Sequence, residues 1–360
     1  MSKNLVKGQS SVAAAMDTAF RHALEHEQAE GRTVIDLQGA RIVIFSDHHR
    51  GNRDGADDFR RCERAYNAAL AYYYPLGYTL VVMGDVEELW EEWPKTVTTA
   101  YAHTLELEGK FHQQGRYIRI WGNHDDAWQH PDLVEQWLIP ALGGAPLKVQ
   151  EALILHVREG EEELGRLFLV HGHQGTFDSD RIAPISRLFV RYVWRPIQRI
   201  IKRSFNTPAK DFELRHVRDT AMYLWSECQE KVVMVAGHTH RPVFKSQSQE
   251  AIIRRSLEAA EAELTKEPDN VQLQQQTAQL AAELEWTLAQ NWVRPEDMPP
   301  VEFRKPSYFN AGCCAFLDGD VTALELNGGE IQLVRWPDDE AVPKPKVLVS
   351  TKLKDVFKAC

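Results

Sequence analysis

Residues of the types that bind metal ions follow five short apolar runs of this 360-residue chain. Each run reads as a buried strand, and each ends in a turn rich in aspartate, histidine, asparagine or glycine. The five turns are Asp47-His48-His49, Gly84-Asp85, Gly122-Asn123-His124-Asp125, His171-Gly172-His173 and Gly237-His238-Thr239-His240. One such turn alone is most often structural. Five in succession indicate a metal site.

The donor types in these turns suit a pair of divalent cations. Two cations about 3.5–4 Å apart need a bridging carboxylate, further carboxylate, amide and imidazole ligands, and open positions for water and a substrate oxygen. Several imidazoles favour Mn, Fe or Zn over Mg or Ca, which prefer oxygen. No cysteine lies in these turns, which argues against a closed structural zinc site. We predict two divalent ions, with Mn²⁺ favoured and Fe or Zn as alternatives.

Strand-like and helix-like segments alternate, which predicts an α/β protein whose ligands bind at the carboxyl ends of the strands. Strands are predicted at 41–46, 79–83, 117–121, 167–170 and 232–236, with helices over 57–74 and 98–114. Alternating patterns near the end predict antiparallel strands at 308–311, 321–326 and 331–336. We therefore expect a mixed sheet with all five turns at one edge.

Two stretches do not fit this alternation and read as insertions. The first, 176–229, is helical and basic in its first half, and the second, 250–292, reads as two helices around a turn at 267–270. The predicted organisation is an N-terminal helical extension at 1–40, a main domain at 41–336 that contains both insertions, and a C-terminal tail at 337–360, only partly ordered. The second insertion is a candidate surface for homo-oligomer formation.

The motif order DHH, GD, GNHD, HGH and GHTH resembles the calcineurin-like metallophosphoesterase superfamily, over about 41–336. The resemblance implies a four-layer α/β/β/α sandwich and hydrolysis of a phosphate ester or phosphoanhydride through attack by a metal-bridging hydroxide. It implies ligands of one metal at Asp47, His49 and His240, ligands of the other at Asn123, His171 and His238, and a bridge at Asp85. His124 matches a histidine that binds no metal and stabilises or protonates the leaving oxygen.

Four further residues beside these motifs are candidates for substrate contact or for orienting catalytic groups. Glu88 and Asp125 are placed to orient His124, although a solvated acid in the first turn of a helix explains Glu88 equally well. Arg50 is placed to meet phosphate oxygens. His48 either touches substrate or packs against the core.

A basic segment lies within the first insertion. Between 181 and 203 there are seven Arg or Lys residues and no Asp or Glu, so the remainder of the chain carries −10 minus 7, or −17. The segment includes Arg187, Arg191 and Arg195 at four-residue spacing. Three interpretations are open: a solvated face over a core contact, a lid that offers arginine to a polyanionic substrate, and an amphipathic element on an anionic membrane.

The leading hypothesis is an enzyme, a metal-dependent phosphoesterase acting as phosphatase or phosphodiesterase. The position of the basic insertion resembles the lid of the UDP-2,3-diacylglucosamine pyrophosphohydrolases, which cleave a nucleotide-linked lipid. GNHD and HGH stand here where that branch has GNRD and HGD. A nuclease is the other alternative, but the acidic total charge and the lack of a readable stacking platform disfavour nucleic acid as partner.

Composition and cysteine usage indicate the class of protein and its compartment. A hydrophobic fraction of 43% with 26% charged residues excludes wholesale disorder. The five cysteines form no CxxC pair and no stretch approaches 18 apolar residues in succession, so we expect a reduced, cytoplasmic protein. Peripheral contact with the inner face of the membrane through 181–203 is part of this expectation.

Overall fold

The structure is a computed structural model that describes residues 3–175, 212–290, 304–339 and 341–360. The basic segment at 181–203, with Arg187, Arg191 and Arg195, lies outside the described residues. In the described part of the chain, no helix is both long enough and apolar enough to cross a membrane.

The described residues form ten α-helices and fourteen strands, besides short 3-10 helices at Phe59–Arg61 and Asp126–Gln129 and a π-helical turn at Val134–Leu138. The helices are α1 Lys3–Glu30, α2 Glu63–Tyr73, α3 Pro94–Ala100, α4 Ala102–Gln113, α5 Pro131–Leu133, α6 Ile139–Ala141, α7 Phe212–Glu227, α8 Gln249–Lys266, α9 Val271–Ala289 and α10 Leu353–Ala359. The first seven strands are β1 Thr33–Asp36, β2 Arg41–Phe45, β3 Thr79–Met83, β4 Tyr117–Ile120, β5 Val149–Gln150, β6 Ala152–Glu159 and β7 Glu162–Val170. The others are β8 Val232–Ala236, β9 Val243–Phe244, β10 Gln247–Ser248, β11 Tyr308–Asn310, β12 Val321–Asn327, β13 Glu330–Trp336 and β14 Lys346–Lys352. The predicted strands are therefore present.

The described strands form two seven-stranded sheets. One has the order β14-β13-β12-β2-β3-β4-β5, in which β2 to β5 are parallel, and the other has the order β1-β6-β7-β8-β11-β9-β10. The five turns are divided between them, because β2, β3 and β4 belong to the first sheet and β7 and β8 to the second. The expectation that all five lie at the edge of one sheet was wrong.

Four layers result from the alternation of side chains along these strands. Ile42 and Ile44 of β2 point into the apolar core between the two sheets. Val43 and Phe45 point the other way, into a core beneath α2 and α4. On the far side, α1 and α7 cover the second sheet, where Met16 packs with the strand residues. The predicted α/β/β/α sandwich is confirmed.

Both ends of the chain are more integral to this sandwich than the sequence suggested. The segment at 1–40 is more than a helical extension, because β1 pairs in parallel with β6 and α1 buries Met16 and Ala19. The segment at 337–360 is not a loose tail, because β14 pairs with β13 and α10 buries Val356 and Phe357 between the sheets. The strand β1 has four residues, and β5, in the middle of the chain, has two. Strands this short have too few residues to show a pattern in the sequence.

The second insertion is the predicted helical hairpin, formed by α8 and α9. Asn270 ends the turn between the two helices and caps α9, because its side chain accepts hydrogen bonds from the backbone of Gln272 and Leu273. The hairpin is attached through Trp286, whose Nε1 donates to Asp318 at 2.7 Å. A role in homo-oligomer formation stays a prediction.

Candidate metal centre

Left-handed non-glycine backbone recurs in three of the five turns. Positive φ is found at five of the seven predicted metal ligands, namely Asp47 (55°), His49 (52°), Asp85 (51°), His238 (68°) and His240 (56°). Non-glycine residues seldom adopt this conformation, which costs of order 1–3 kcal/mol each and is concentrated at functional sites. The fold thus holds strained backbone where the donor side chains converge.

Two glycines of the motifs are required by close packing around the carboxylates. A Cβ atom at Gly122 would overlap Asp85 Oδ1. A Cβ atom at Gly237 would lie 2.5 Å from Asp47 Oδ2 and overlap Ser46 Oγ. Cβ atoms in proteins do not lie at such short distances from other heavy atoms. Any side chain at either position would therefore displace an aspartate.

The first cluster of donors comprises Asp47, His49 and His240. The Nε2 atoms of the two imidazoles lie 3.1 Å apart, and His240 Nε2 is 3.3 Å from Asp47 Oδ1. Asp47 Oδ2 accepts the backbone N–H of His238 at 2.8 Å, whereas Oδ1 is buried and has no hydrogen-bond partner among the described residues. Three donor atoms within 4.8 Å of one another can hold one metal ion.

The second cluster comprises Asp85, His171 and His238, which also lie within 4.8 Å of one another. His171 Nδ1 donates to the carbonyl oxygen of Met83 at 3.1 Å, which directs Nε2 towards Asp85 Oδ2, 3.0 Å away. Within the described residues, His238 Nε2 accepts from Arg218, and its buried Nδ1 has no hydrogen-bond partner. Because a neutral imidazole has a single lone pair, a metal bound by His238 would replace the Arg218 contact.

Asp85 lies between the two clusters. Its Oδ2 atom is 3.0 Å from His171 Nε2 and 3.9 Å from His49 Nε2. Its Oδ1 atom accepts the backbone N–H of His124 at 2.8 Å, which fixes the carboxylate in place. This position is the one that the sequence predicts for a bridging ligand.

The donor set fits two divalent cations. Within the described residues, four buried atoms of the donor side chains have no hydrogen-bond partner: Asp47 Oδ1, Asn123 Oδ1, His171 Nε2 and His238 Nδ1. Burial raises the pKa of Asp47 to about 6, a sign that its charge needs a cation. Carboxylate, amide and imidazole donors in this ratio are those of a dinuclear hydrolytic site.

A family model described as calcineurin-like phosphoesterase matches residues 40–242, more than half of the chain. The chain belongs to the calcineurin-like phosphoesterase family. No curated protein matches it. The matched segment begins one residue before β2 and ends two residues after His240, so it contains all five turns. The protein is therefore a metal-dependent phosphoesterase, while the resemblance to the UDP-2,3-diacylglucosamine branch stays a prediction.

In this phosphoesterase, Glu88 links the candidate acid to a candidate ligand. Its carboxylate oxygens lie 2.8 Å from His124 Nδ1 and 2.9 Å from His49 Nδ1. Burial opposes a charge on His124, but Glu88 and Asp85 outweigh it and raise the pKa of His124 to about 10. The interpretation of Glu88 as a solvated acid was wrong, because its side chain is 13% exposed and both oxygens are engaged.

The structure corrects the expectation for Arg50 and agrees with the packing alternative for His48. Arg50 is fully buried, pairs with Glu108 and lies 3.6 Å from Glu87, so its guanidinium is not available to phosphate. His48 is also fully buried, and its ring packs against Tyr66 with centroids 4.6 Å apart. The side chains of Arg50 and His48 both point into the core, whereas His49 points towards the metal centre.

Asp125 binds the backbone of two of the turns and does not contact the His124 ring. Its carboxylate accepts backbone N–H groups of Gly122 at 2.6 Å and Val86 at 3.0 Å. It also lies 3.4 Å from the buried guanidinium of Arg119. Asp125 therefore joins the turns that carry Asp85 and His124, and the expectation that it orients the imidazole was wrong.

Two residues of α7 that the sequence did not single out complete the site of the phosphoesterase. Arg218 contacts His238 Nε2. Asp219 accepts from Thr239 Oγ1 at 3.0 Å and from Tyr308 at 2.8 Å, which holds the last turn against the second sheet. No motif marks either residue, because their partners lie about twenty and ninety residues further along the chain.

Proposed function

We propose that this phosphoesterase uses two divalent cations, with Mn²⁺ preferred, to hydrolyse a phosphate ester or phosphoanhydride, and that His124 protonates the leaving oxygen. The observation that carries the proposal is the position of Asp85 between two donor clusters, 3.0 Å from His171 Nε2 and 3.9 Å from His49 Nε2. The backbone N–H of His124 is anchored on the same carboxylate. The acid thus lies beside the reaction centre.

The donors divide into two sets. Asp47, His49 and His240 would hold one cation, Asn123, His171 and His238 the other, and Asp85 would contact both. The chemistry that two bound cations supply is charge neutralisation at the phosphoryl oxygens and a lower pKa for water. Five of the seven donors are buried, namely Asp47, Asp85, Asn123, His171 and His238, which keeps bulk water from competing for these positions.

Glu88 fixes the orientation of the His124 ring. It accepts a hydrogen bond from Nδ1 at 2.8 Å, so the Nε2–H of the protonated ring is left to donate to the leaving oxygen. The indole of Trp90 stacks on the imidazole at 4.4 Å with an interplanar angle of 18°. Both contacts restrict the ring to one orientation, which general acid catalysis requires.

The reaction balances with water as the only second reactant. A water oxygen forms a bond to phosphorus, and the bond between phosphorus and the leaving oxygen breaks. The leaving oxygen gains the proton of His124, and the proton that water loses restores the imidazolium. Monoesters, diesters and anhydrides all fit this scheme.

The test is an activity panel on metal-depleted full-length protein reconstituted in turn with Mn²⁺, Fe²⁺, Zn²⁺ and Mg²⁺. The substrates are p-nitrophenyl phosphate, its bis ester, a nucleotide-diphosphate lipid and single-stranded DNA. We expect metal-dependent turnover of at least one ester, highest with Mn²⁺. Preference for the lipid or the DNA would favour the pyrophosphohydrolase or the nuclease alternative, and no turnover with any metal would refute the proposal.

Asp85→Asn tests the bridging role separately. We expect loss of bound metal, measured by elemental analysis, together with loss of turnover, because an amide lacks the charge that two cations share. The matched control is Asp132→Asn, at an exposed position in the short helix α5. Full retention of both metals in Asp85→Asn would contradict the assignment.

A further inference from the structure

A cavity of about 390 Å³ lies beside the candidate metal centre. It is bounded by α1, by the turn after β4 and by the residues that follow β7. Its walls carry two indoles, two carboxylates, three amides and one imidazole, and those used below belong to Trp90, Trp121, Asp126, Glu151, Asn123 and His173. The volume is in the range of small-molecule sites.

The cavity is contiguous with the groups that would act on the leaving oxygen. Asn123 is both a wall residue and a candidate metal ligand. Trp90 is a wall residue whose indole stacks on His124. A phosphoester bound at the metal centre, with its leaving oxygen next to His124, would therefore project its alcohol towards these walls.

The chemistry of the walls favours a cation. No lysine or arginine lines the cavity within the described ranges, whereas Asp126 and Glu151 do. Glu151 is held in place by the side chains of His22 at 3.2 Å and Gln174 at 3.4 Å. The indoles of Trp90 and Trp121 also line the cavity, and indole π-electron density attracts ammonium groups.

One buried polar atom of the cavity wall has no partner among the described residues. His173 lines the cavity and is 5% exposed, and its Nδ1 atom makes no hydrogen bond to the part of the chain that the structure describes. A buried polar group without a partner costs free energy unless a ligand or water satisfies it. The cavity wall therefore contains a site for a polar contact as well as for a charge.

We propose that this cavity binds the alcohol part of the phosphoester, and that this alcohol carries an ammonium or quaternary ammonium group. The inference rests on the proposed function, since it names the substrate class for the same centre. The phosphoryl group would lie at the metals, the leaving oxygen at His124, and the cationic end between the two indoles and the carboxylates.

The experiment compares two isosteric monoesters, phosphocholine and 3,3-dimethylbutyl phosphate, which differ in a nitrogen that carries the charge. On Mn²⁺-loaded full-length protein we expect kcat/KM to favour the cationic ester by about tenfold or more, the scale of a desolvated cation–π contact with a nearby carboxylate. Equal or higher kcat/KM for the neutral ester would assign the cavity to an uncharged alcohol and overturn the proposal.

Two variants separate the cavity from the intrinsic difference between the leaving groups. Glu151→Gln and Trp121→Leu are each expected to lower the ratio of the two kcat/KM values several-fold, because each removes part of the attraction for the cation. Glu161→Gln, at an exposed position in the turn after β6, is the matched control and should leave the ratio unchanged. A ratio that neither cavity variant alters would contradict the assignment.

Calorimetric titration of the metal-loaded protein with choline alone distinguishes failure of this inference from failure of the proposed function. Choline binding that Glu151→Gln weakens, without turnover of any phosphoester, would support the cavity and refute the phosphoesterase mechanism. Turnover of p-nitrophenyl phosphate without choline binding would support the mechanism and refute the cavity assignment.

Discussion

The Oε1 atom of Glu88 lies 2.8 Å from Nδ1 of His124. The other oxygen of the same carboxylate lies 2.9 Å from Nδ1 of His49. One side chain thus orients both the candidate acid and a candidate metal ligand, and it directs the Nε2 atom of each ring towards the metal centre. Such a contact also makes an imidazole a better ligand, since the carboxylate increases its basicity.

His124→Ala should lower kcat by roughly 10²-fold or more, which is the scale of one general acid contribution. Metal content should stay nearly intact, because the proposed ligands are other residues. The check combines kcat on p-nitrophenyl phosphate with elemental analysis of the same sample. Unchanged turnover would remove His124 from the mechanism.

Glu88→Gln should move the alkaline limb of the profile of kcat against pH to lower pH, by on the order of one unit. The physical reason is that Glu88 raises the pKa of His124, so a neutral amide releases its proton at lower pH. The control is Glu106→Gln, an exposed acid of α4. An unmoved alkaline limb would show that Glu88 does not set the protonation of the acid.

The stability that Glu88 and His124 contribute to the metal-free protein should depend on pH. Burial opposes the charge of Glu88, but His124 and His49 lower the pKa of Glu88 to about 2, so its contribution is present above about pH 4.3 and lost as pH falls towards 2. The pKa of His124 is raised to about 10, so its contribution is complete below about pH 6.5 and lost as pH rises through 10.

The difference in the free energy of unfolding between the wild-type protein and Glu88→Gln should therefore be greatest near pH 5 to 6.5. It should decrease towards both ends of the range. Urea unfolding in the presence of a chelator, at intervals from pH 3 to pH 9.5, measures it. A difference that does not vary with pH would contradict the proposed charge pair.

Glu108→Gln should lower the free energy of unfolding by about 3–5 kcal/mol, the usual cost of removing one partner from a buried ion pair. Glu108 lies fully buried between Arg50 and Tyr117, whose hydroxyl donates to it at 2.9 Å. Glu106→Gln, two residues earlier on the same helix and exposed, should change it by no more than about 0.5 kcal/mol. Urea unfolding measures the free energy of unfolding of both variants. Equal decreases in the two variants would contradict a stabilising buried ion pair at Glu108.

The strands that carry the five turns could be predicted because each is buried on both faces. Strands such as Thr79–Met83 and Val232–Ala236 are therefore continuous apolar runs. The hairpin of α8 and α9 was equally readable, since both helices are long and a proline turn separates them. Short edge strands such as Val149–Gln150 were not, because two residues carry no periodicity.

Side-chain direction within the turns could not be predicted, and this explains the errors at Arg50 and Asp125. His49 has φ of 52°, and this left-handed residue turns the chain so that its own ring faces the metals while Arg50 points into the core. Local sequence does not reveal which residue of such a turn adopts positive φ when none is glycine. The buried acid that receives Arg50, Glu108, lies 58 residues away.

The sequence by itself determined the donor types, their order and the family, because each donor follows directly on a strand and needs no distant partner to be recognised. Only the tertiary structure decided that the donors lie within reach of one another, since the strands that carry Asp85 and His171 belong to different sheets. The same holds for the cavity: α1, more than a hundred residues from Trp121 in sequence, supplies one of its walls. Contacts between separate layers depend on how the layers pack, and packing is a property of the whole fold.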